Sequence, residues 1–163
     1  MATKGLFRRF FYWLGVAAAV AIVAVIIGGV LLVKKGASLD AEAKTYVDSA
    51  VVAICGKWDR QQLLDRASPE FMAAIKPEQL DALFASLSAA GALTKYEGAN
   101  GQAKIMVYNG NERITAKYVA KALFEKNAAT ITLSLTKNGE TWQISSFHVN
   151  LEPRPPDDTV QHI

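Results

Sequence analysis

Residues 10–33, FFYWLGVAAAVAIVAVIIGGVLLV, form one apolar run without charge or proline, fenced by Arg8 and Arg9 before it and Lys34 and Lys35 after it. A helix rises about 1.5 Å per residue, so about 20 residues cross a ~30 Å hydrocarbon core and this run is long enough. In lipid every backbone N–H and C=O has to be paired within the chain, so a single crossing has to be helical. The run therefore predicts a transmembrane helix over 10–33, with Tyr12 and Trp13 in the headgroup layer. Its glycines lack the G-x-x-x-G spacing of a dimerising span, and Gly15 and Ala19 form only the small-xxx-small pair that alanine-rich segments produce by chance.

A cleaved signal peptide is the competing reading. Its apolar region is usually only ~7–15 residues and ends at a small-x-small site. Ala19-Val20-Ala21 has that form, but strongly apolar residues follow at once, and the next small residues lie beyond two lysines. The expectation is an uncleaved anchor. Lys4, Arg8, Arg9 and the α-amine outweigh Lys34 and Lys35, which places a basic tail, 1–9, in the cytoplasm. The chain after the run would then lie outside, in the periplasm of a bacterium whose inner membrane holds the anchor.

The run also accounts for the basic character. The chain carries +3, but residues 1–37 hold five of its 18 basic residues and none of its 15 acidic ones, so the remainder is near −2. Nucleic-acid recognition needs clustered Lys and Arg on the folded part. Lys117, Lys121 and Lys126 are spread along an apparent strand and read as solvated, so no nucleic-acid partner is expected. Cys55 is the only cysteine, which excludes an intrachain disulfide and a cysteine-rich zinc site. It stands in the apolar stretch AVVAIC and reads as a buried, inert thiol.

Residues 38–152 are enough for one small domain. Its first half has helical periodicity. Ser38 is placed to cap a helix with Asp40 and Glu42 in the first turn, followed by the stripe Tyr46, Val47, Ala50, Val51 and Ile54 and a stop at Gly56. Residues 60–66 suggest a short helix. Ser68-Pro69-Glu70 starts another that presents Phe71, Met72 and Ile75, and Pro77 opens a fourth with Leu80, Leu83, Phe84 and Leu87, ended by Gly91. The second half switches to period two. Strands are expected over 92–97, 103–108, 113–125 and 130–136, with a glycine-rich turn at Gly98-Ala99-Asn100-Gly101. Asn138-Gly139 reads as a type I′ hairpin turn into a last strand from Trp142 to Leu151, whose phase slips at Ser145-Ser146 as a β-bulge would make it. Pro153, Pro155 and Pro156 begin a disordered tail, 153–163. Helices first and an antiparallel sheet second make an α+β domain with the helices on the concave face of a curved sheet.

The first helix ending near Trp58-Asp59, the stretch Pro77-Glu78-Gln79-Leu80 to Gly91, and the hairpin Lys137-Asn138-Gly139-Glu140-Thr141-Trp142 carry a resemblance. Over residues 39–151 the layout resembles the nuclear-transport-factor-2-like superfamily, in particular its small membrane-anchored bacterial branches. The resemblance implies a cone-shaped α+β domain. It does not imply one function, because the superfamily includes isomerases, dehydratases, ligand binders, transport factors and secretion-system subunits.

The chemistry in the sequence is sparse. No phosphate loop, nucleophile elbow or dinucleotide fingerprint is present, and no cofactor or metal site is expected. Tyr46, Asp65 and His148 would have to converge for an isomerase or hydratase, and His148 alternates against Phe147 and Val149, away from the apolar side. Tyr46, Trp58, Tyr96, Tyr108, Tyr118 and Trp142 are the candidates for lining a pocket inside the cone. The leading expectation is a non-enzymatic, single-pass, extracytoplasmic module that binds a protein partner or its own copies. A small-molecule or lipid-derived ligand in the cone is the second, and an isomerase or hydratase the third.

Overall fold

The computed structural model describes residues 36–154, together with Ala21 and Val25; for Tyr108 the backbone alone is described. Helix α1 covers residues 36–55. Leu39, Ala43, Val47, Ala50, Val51 and Ile54 line its buried face, and the Cys55 thiol is fully buried beside them. Ser38 lies inside this helix, already formed at residue 36, and is not its cap.

The expected membrane crossing is corrected here. Among the described residues no helix is long and apolar enough to cross a membrane. α1 has the length, but it carries Asp40, Glu42, Lys44 and Asp48 and is amphipathic. The run 10–33 itself, apart from Ala21 and Val25, lies outside the described residues, as do the tail 1–9 and residues 155–163. What the structure carries is an α+β unit of helices and four antiparallel strands.

α1 ends without using Gly56 as a left-handed stop. Trp58 takes the positive φ, 50°, and Asp59 N donates to Ile54 O at 2.8 Å. A tryptophan tolerates that conformation because its ring is held on both sides. Its Nε1 donates to Gly91 O at 3.0 Å, and it stacks on Phe124 with centroids 4.8 Å apart. Helix α2 (Arg60–Leu64) follows, capped by the Asp59 carboxylate. Helix α3 (Pro69–Ala74) is capped by Ser68 Oγ, as its cap-then-proline sequence predicts, but Met72 is half exposed and α3 buries no residue fully. Helix α4 (Pro77–Ser88) buries Leu80, Phe84 and Leu87, and Gly91 at φ +84° turns the chain into the sheet.

Strands β1 (Leu93–Tyr108), β2 (Asn111–Phe124), β3 (Asn127–Asn138) and β4 (Thr141–Pro153) pair in the order β1-β2-β3-β4, all antiparallel. Even positions of β2 and odd positions of β3 turn to the helices, and Tyr118, Phe124, Ile131, Leu133 and Leu135 are buried there. The expected turn at 98–101 is instead part of one long strand: β1 passes through it, with register shifts before Lys95 and Gly98. The phase slip in β4 is present. Ser134 faces Ser146 and Leu135 faces Ile144, which leaves Ser145 as the extra residue. The hairpin turns differ from expectation. Asn138 pairs with Thr141, so Gly139, φ +61°, is the first central residue of its turn, as in type II′. Asn109 and Gly110 both take positive φ and form the type I′ turn between β1 and β2. Pro153 is the last residue of β4 and not the first of a tail, and Arg154 Nη1 donates to Phe124 O at 3.0 Å.

Candidate functional site

The interior of the sheet-and-helix sandwich is filled by its own side chains. Tyr118 is 1% exposed, Trp58 7% and Trp142 6%. Of the six expected pocket residues, Trp58 is core against Phe124. Tyr96 and Tyr118 have their hydroxyls taken by helix carboxylates: Tyr96 donates to Asp48 Oδ1 at 2.6 Å and Tyr118 to Asp40 Oδ1 at 2.6 Å. Burial, and then these carboxylates, push both phenols above their ordinary pKa of 10.0. The backbone of Tyr108 ends β1, far along the strand from the others. Only Tyr46 and Trp142 come together.

Those two line a surface cleft of about 720 Å³ between α1 and the β3–β4 turn, with Glu42, Thr45, Ser49, Glu140 and Thr141. Lys137 Nζ lies 2.6 Å from Glu42 Oε2 and 5.4 Å from the centre of the Trp142 ring. The hydrogen bond from Lys137, and then its charge, lower the Glu42 pKa. The buried Trp142 Nε1 makes no hydrogen bond of regular geometry among the described residues, and it lies near enough to Glu42 to add to the lowering of that carboxyl's pKa. Tyr46 sends its hydroxyl toward Arg66 O at 3.5 Å, and burial raises its pKa.

Tyr46, Asp65 and His148 do not form a catalytic group. Asp65 and His148 are both exposed, on α2's C-terminal cap and on the outward phase of β4. Among the described residues no cluster of His, Cys, Asp and Glu is arranged to hold a metal ion. The Cys55 thiol is pushed up to about 12 by burial, which leaves it un-ionised and unreactive at neutral pH.

The sheet has two edges, and they are treated differently. At β4, Ser68 N donates to Ile144 O at 2.8 Å and Ile144 N to Arg66 O at 2.7 Å, so the chain at Ala67 forms a short parallel bridge on that edge. At β1, α1 runs beside the strand. Ala103 N donates to Asp40 Oδ1 at 2.9 Å, and the Ala99 amide lies near enough to the Asp48 carboxylate to help lower its pKa. Eight residues of helix rise about 12 Å and four residues of strand about 13 Å, so two carboxylates on one helix face meet two outward amides of an edge strand.

Among the described residues this cover ends beyond Ala103. Alternation from Ala103 turns the N–H and C=O groups of Ile105 and Val107 outward. β3 first pairs with β2 at Ile114, opposite Ile105, so 106–113 project as a two-stranded ribbon with Ile105 at its base. Ile105, Met106 and Val107 are exposed, Val107 by 72%. Ile105 and Val107 continue the helix-side face of the sheet, and Ile114 opposite Ile105 is half-buried. In the sequence 103–108 reads only as a strand, and this site is missed because nothing there signals where the helices stop.

Comparison with known proteins finds no matching family model, no matching curated protein and no matching solved structure.

Proposed function

We propose that the chain is a protein-interaction or assembly module that works by strand addition at the open end of β1. The observation that carries this is the ribbon edge at Ile105 and Val107, where outward backbone groups and exposed apolar side chains coincide. An uncovered edge of this kind is a template for another strand, and proteins that do not use one protect it with charge, proline or a covering element. This chain protects the neighbouring stretch at Ala99 and Ala103 and leaves 105–107 bare of any described residue. A photo-crosslinker in place of Val107, in intact cells, is expected to give a defined adduct with a partner chain or a second copy; its absence would count against strand addition.

A place at a bacterial inner membrane, with the domain outside, is part of the same reading. It is supported by the run 10–33 and its basic flanks and by no helix described in the structure. Kinship with the nuclear-transport-factor-2-like superfamily is likewise a reading of the layout, helices followed by an antiparallel meander.

A second reading, a small-ligand binder, is supported by the Tyr46–Trp142 cleft, into which Glu42 and Glu140 also open. It requires native mass spectrometry to find a small molecule that Trp142→Phe releases; an unliganded spectrum for both forms removes it.

A further inference from the structure

The charge of the described unit is divided between its halves. Residues 39–91 carry five Lys and Arg against eight Asp and Glu, whereas residues 92–154 carry eight against five. Most of the excess on the sheet sits on the face turned away from the helices.

Strand registers order that face into rows. One row is Lys104, Thr115, Thr136, Gln143, and the next is Gln102, Lys117, Ser134, Ser146. The third is Asn100, Val119, Thr132, His148, and the fourth is Gly98, Lys121, Thr130, Asn150. No position in these rows is a carboxylate, the His148 imidazole is the one aromatic ring, and Val119 is the sole aliphatic side chain. Lys104, Lys117 and Lys121 are exposed and make no ion pair with a described residue. A groove of about 570 Å³ runs across the first three rows, lined by Gln102, Lys104, Thr115, Lys117 and Ser134 and by apolar atoms of Val119 and its neighbours.

We propose that this outer face binds an acidic polysaccharide, a chain of sugar hydroxyls bearing spaced carboxylates. The hydroxyl and amide side chains donate and accept hydrogen bonds in alternation, which ring hydroxyls need. The three ammonium groups are compact, hydrated point charges that pair single carboxylates; no arginine fork suited to phosphate stands in the rows. Other anionic partners fit the face less well. A protein interface has an apolar, aromatic-rich core, which this face lacks. Single-stranded nucleic acid stacks on aromatics, and a duplex carries about one charge per 1.7 Å, far denser than three lysines on a sheet. A membrane-surface element presents apolar side chains to the acyl boundary.

The test uses the full-length chain in mild detergent, titrated with uronic-acid oligosaccharides, neutral dextran, polyglutamate, duplex DNA and anionic vesicles. The uronate oligomer is expected to bind and dextran to fail. Lys104→Gln/Lys117→Gln/Lys121→Gln should weaken uronate binding about tenfold or more, one such factor being 1.4 kcal/mol. Thr132→Val/Ser134→Val keeps every charge; it should weaken uronate binding and leave any polyglutamate binding unchanged. Urea unfolding of each variant at the wild-type midpoint ensures that the loss is local. Three results overturn the proposal: uronate binding no tighter than dextran, a triple variant that binds as the parent does, or polyglutamate, DNA or vesicles bound as tightly as uronate with the hydroxyl variant indifferent.

Discussion

Asp40 and Asp48 tie the first helix to the sheet by different donors. Asp40 Oδ1 takes the Tyr118 hydroxyl and the Ala103 amide. Burial alone would raise the Asp48 pKa, but hydrogen bonds from Lys44 and Tyr96, the Lys44 charge and the Ala99 amide together lower it. In the sequence Asp40 reads as a first-turn helix acid, and Tyr96 and Tyr118 read as pocket lining. A tyrosine that opens into a cavity and one whose hydroxyl is closed by a carboxylate 48 or 78 positions away have the same local pattern. Asp40→Ala removes the carboxylate from the buried Tyr118 hydroxyl, which keeps only the residue-40 carbonyl at 2.9 Å, and leaves the Ala103 amide without its acceptor. It should cost about 2–3 kcal/mol in urea unfolding, against within about 0.5 kcal/mol for the exposed Glu78→Ala. Equal costs for the two would show that the clamp contributes nothing.

At the scale of elements, periodicity located most strands and helices, and failed where a glycine served packing and not turning. Gly98-Ala99-Asn100-Gly101 reads as a turn, yet β1 continues through it. Gly101 faces Tyr118, and a Cβ there would lie 2.1 Å from Lys117 O and 2.8 Å from the Tyr118 ring. The glycine lets two strands approach over a buried ring, a requirement set by a residue 17 positions on and invisible in a local window. Gly101→Val should force the strands apart at Tyr118 and destabilise by about 3 kcal/mol. In the same variant the Tyr118 hydroxyl should lose its hold on Asp40, seen as faster hydrogen exchange at Ala103. Wild-type stability and exchange would contradict this close approach. The bulge at Ser145 was legible because both flanks of β4 are strongly alternating, so a one-residue slip shows. The turn at Asn138-Gly139 was misplaced by one position because either residue pair satisfies the hairpin preference, and register decides.

At the scale of the molecule, stability should fall at both ends of the pH range. Glu42, Asp48 and Glu70 have lowered pKa values in the fold, so their contribution is present above about pH 4 and is lost as pH falls through the folded values. Tyr96 and Tyr118 have raised values; their contribution is complete below pH 10.0 and is lost as pH rises beyond it, where the unfolded chain sheds protons first. Urea midpoints from pH 3 to 11 should trace a plateau with losses on both sides; a midpoint still rising above pH 10.0 would contradict the tyrosine burial.

The division of labour between the edges of the sheet carries the functional claim. One edge is bridged at Ala67, part of the other is closed by helix carboxylates, and the β1 edge at 105–107 is bare of any described residue. Nothing in the residue pattern KIMVY separates a bare edge from a covered one, since coverage depends on where α1 ends its passage along β1. The most direct measurement is site-specific photo-crosslinking in intact cells from position 107, with the exposed position 78 at the start of α4 as control. Strand addition predicts a discrete adduct from position 107, none from position 78, and loss of the adduct on adding Ile105→Lys with unfolding stability unchanged. Equal labelling from both positions, or none from position 107, would contradict it.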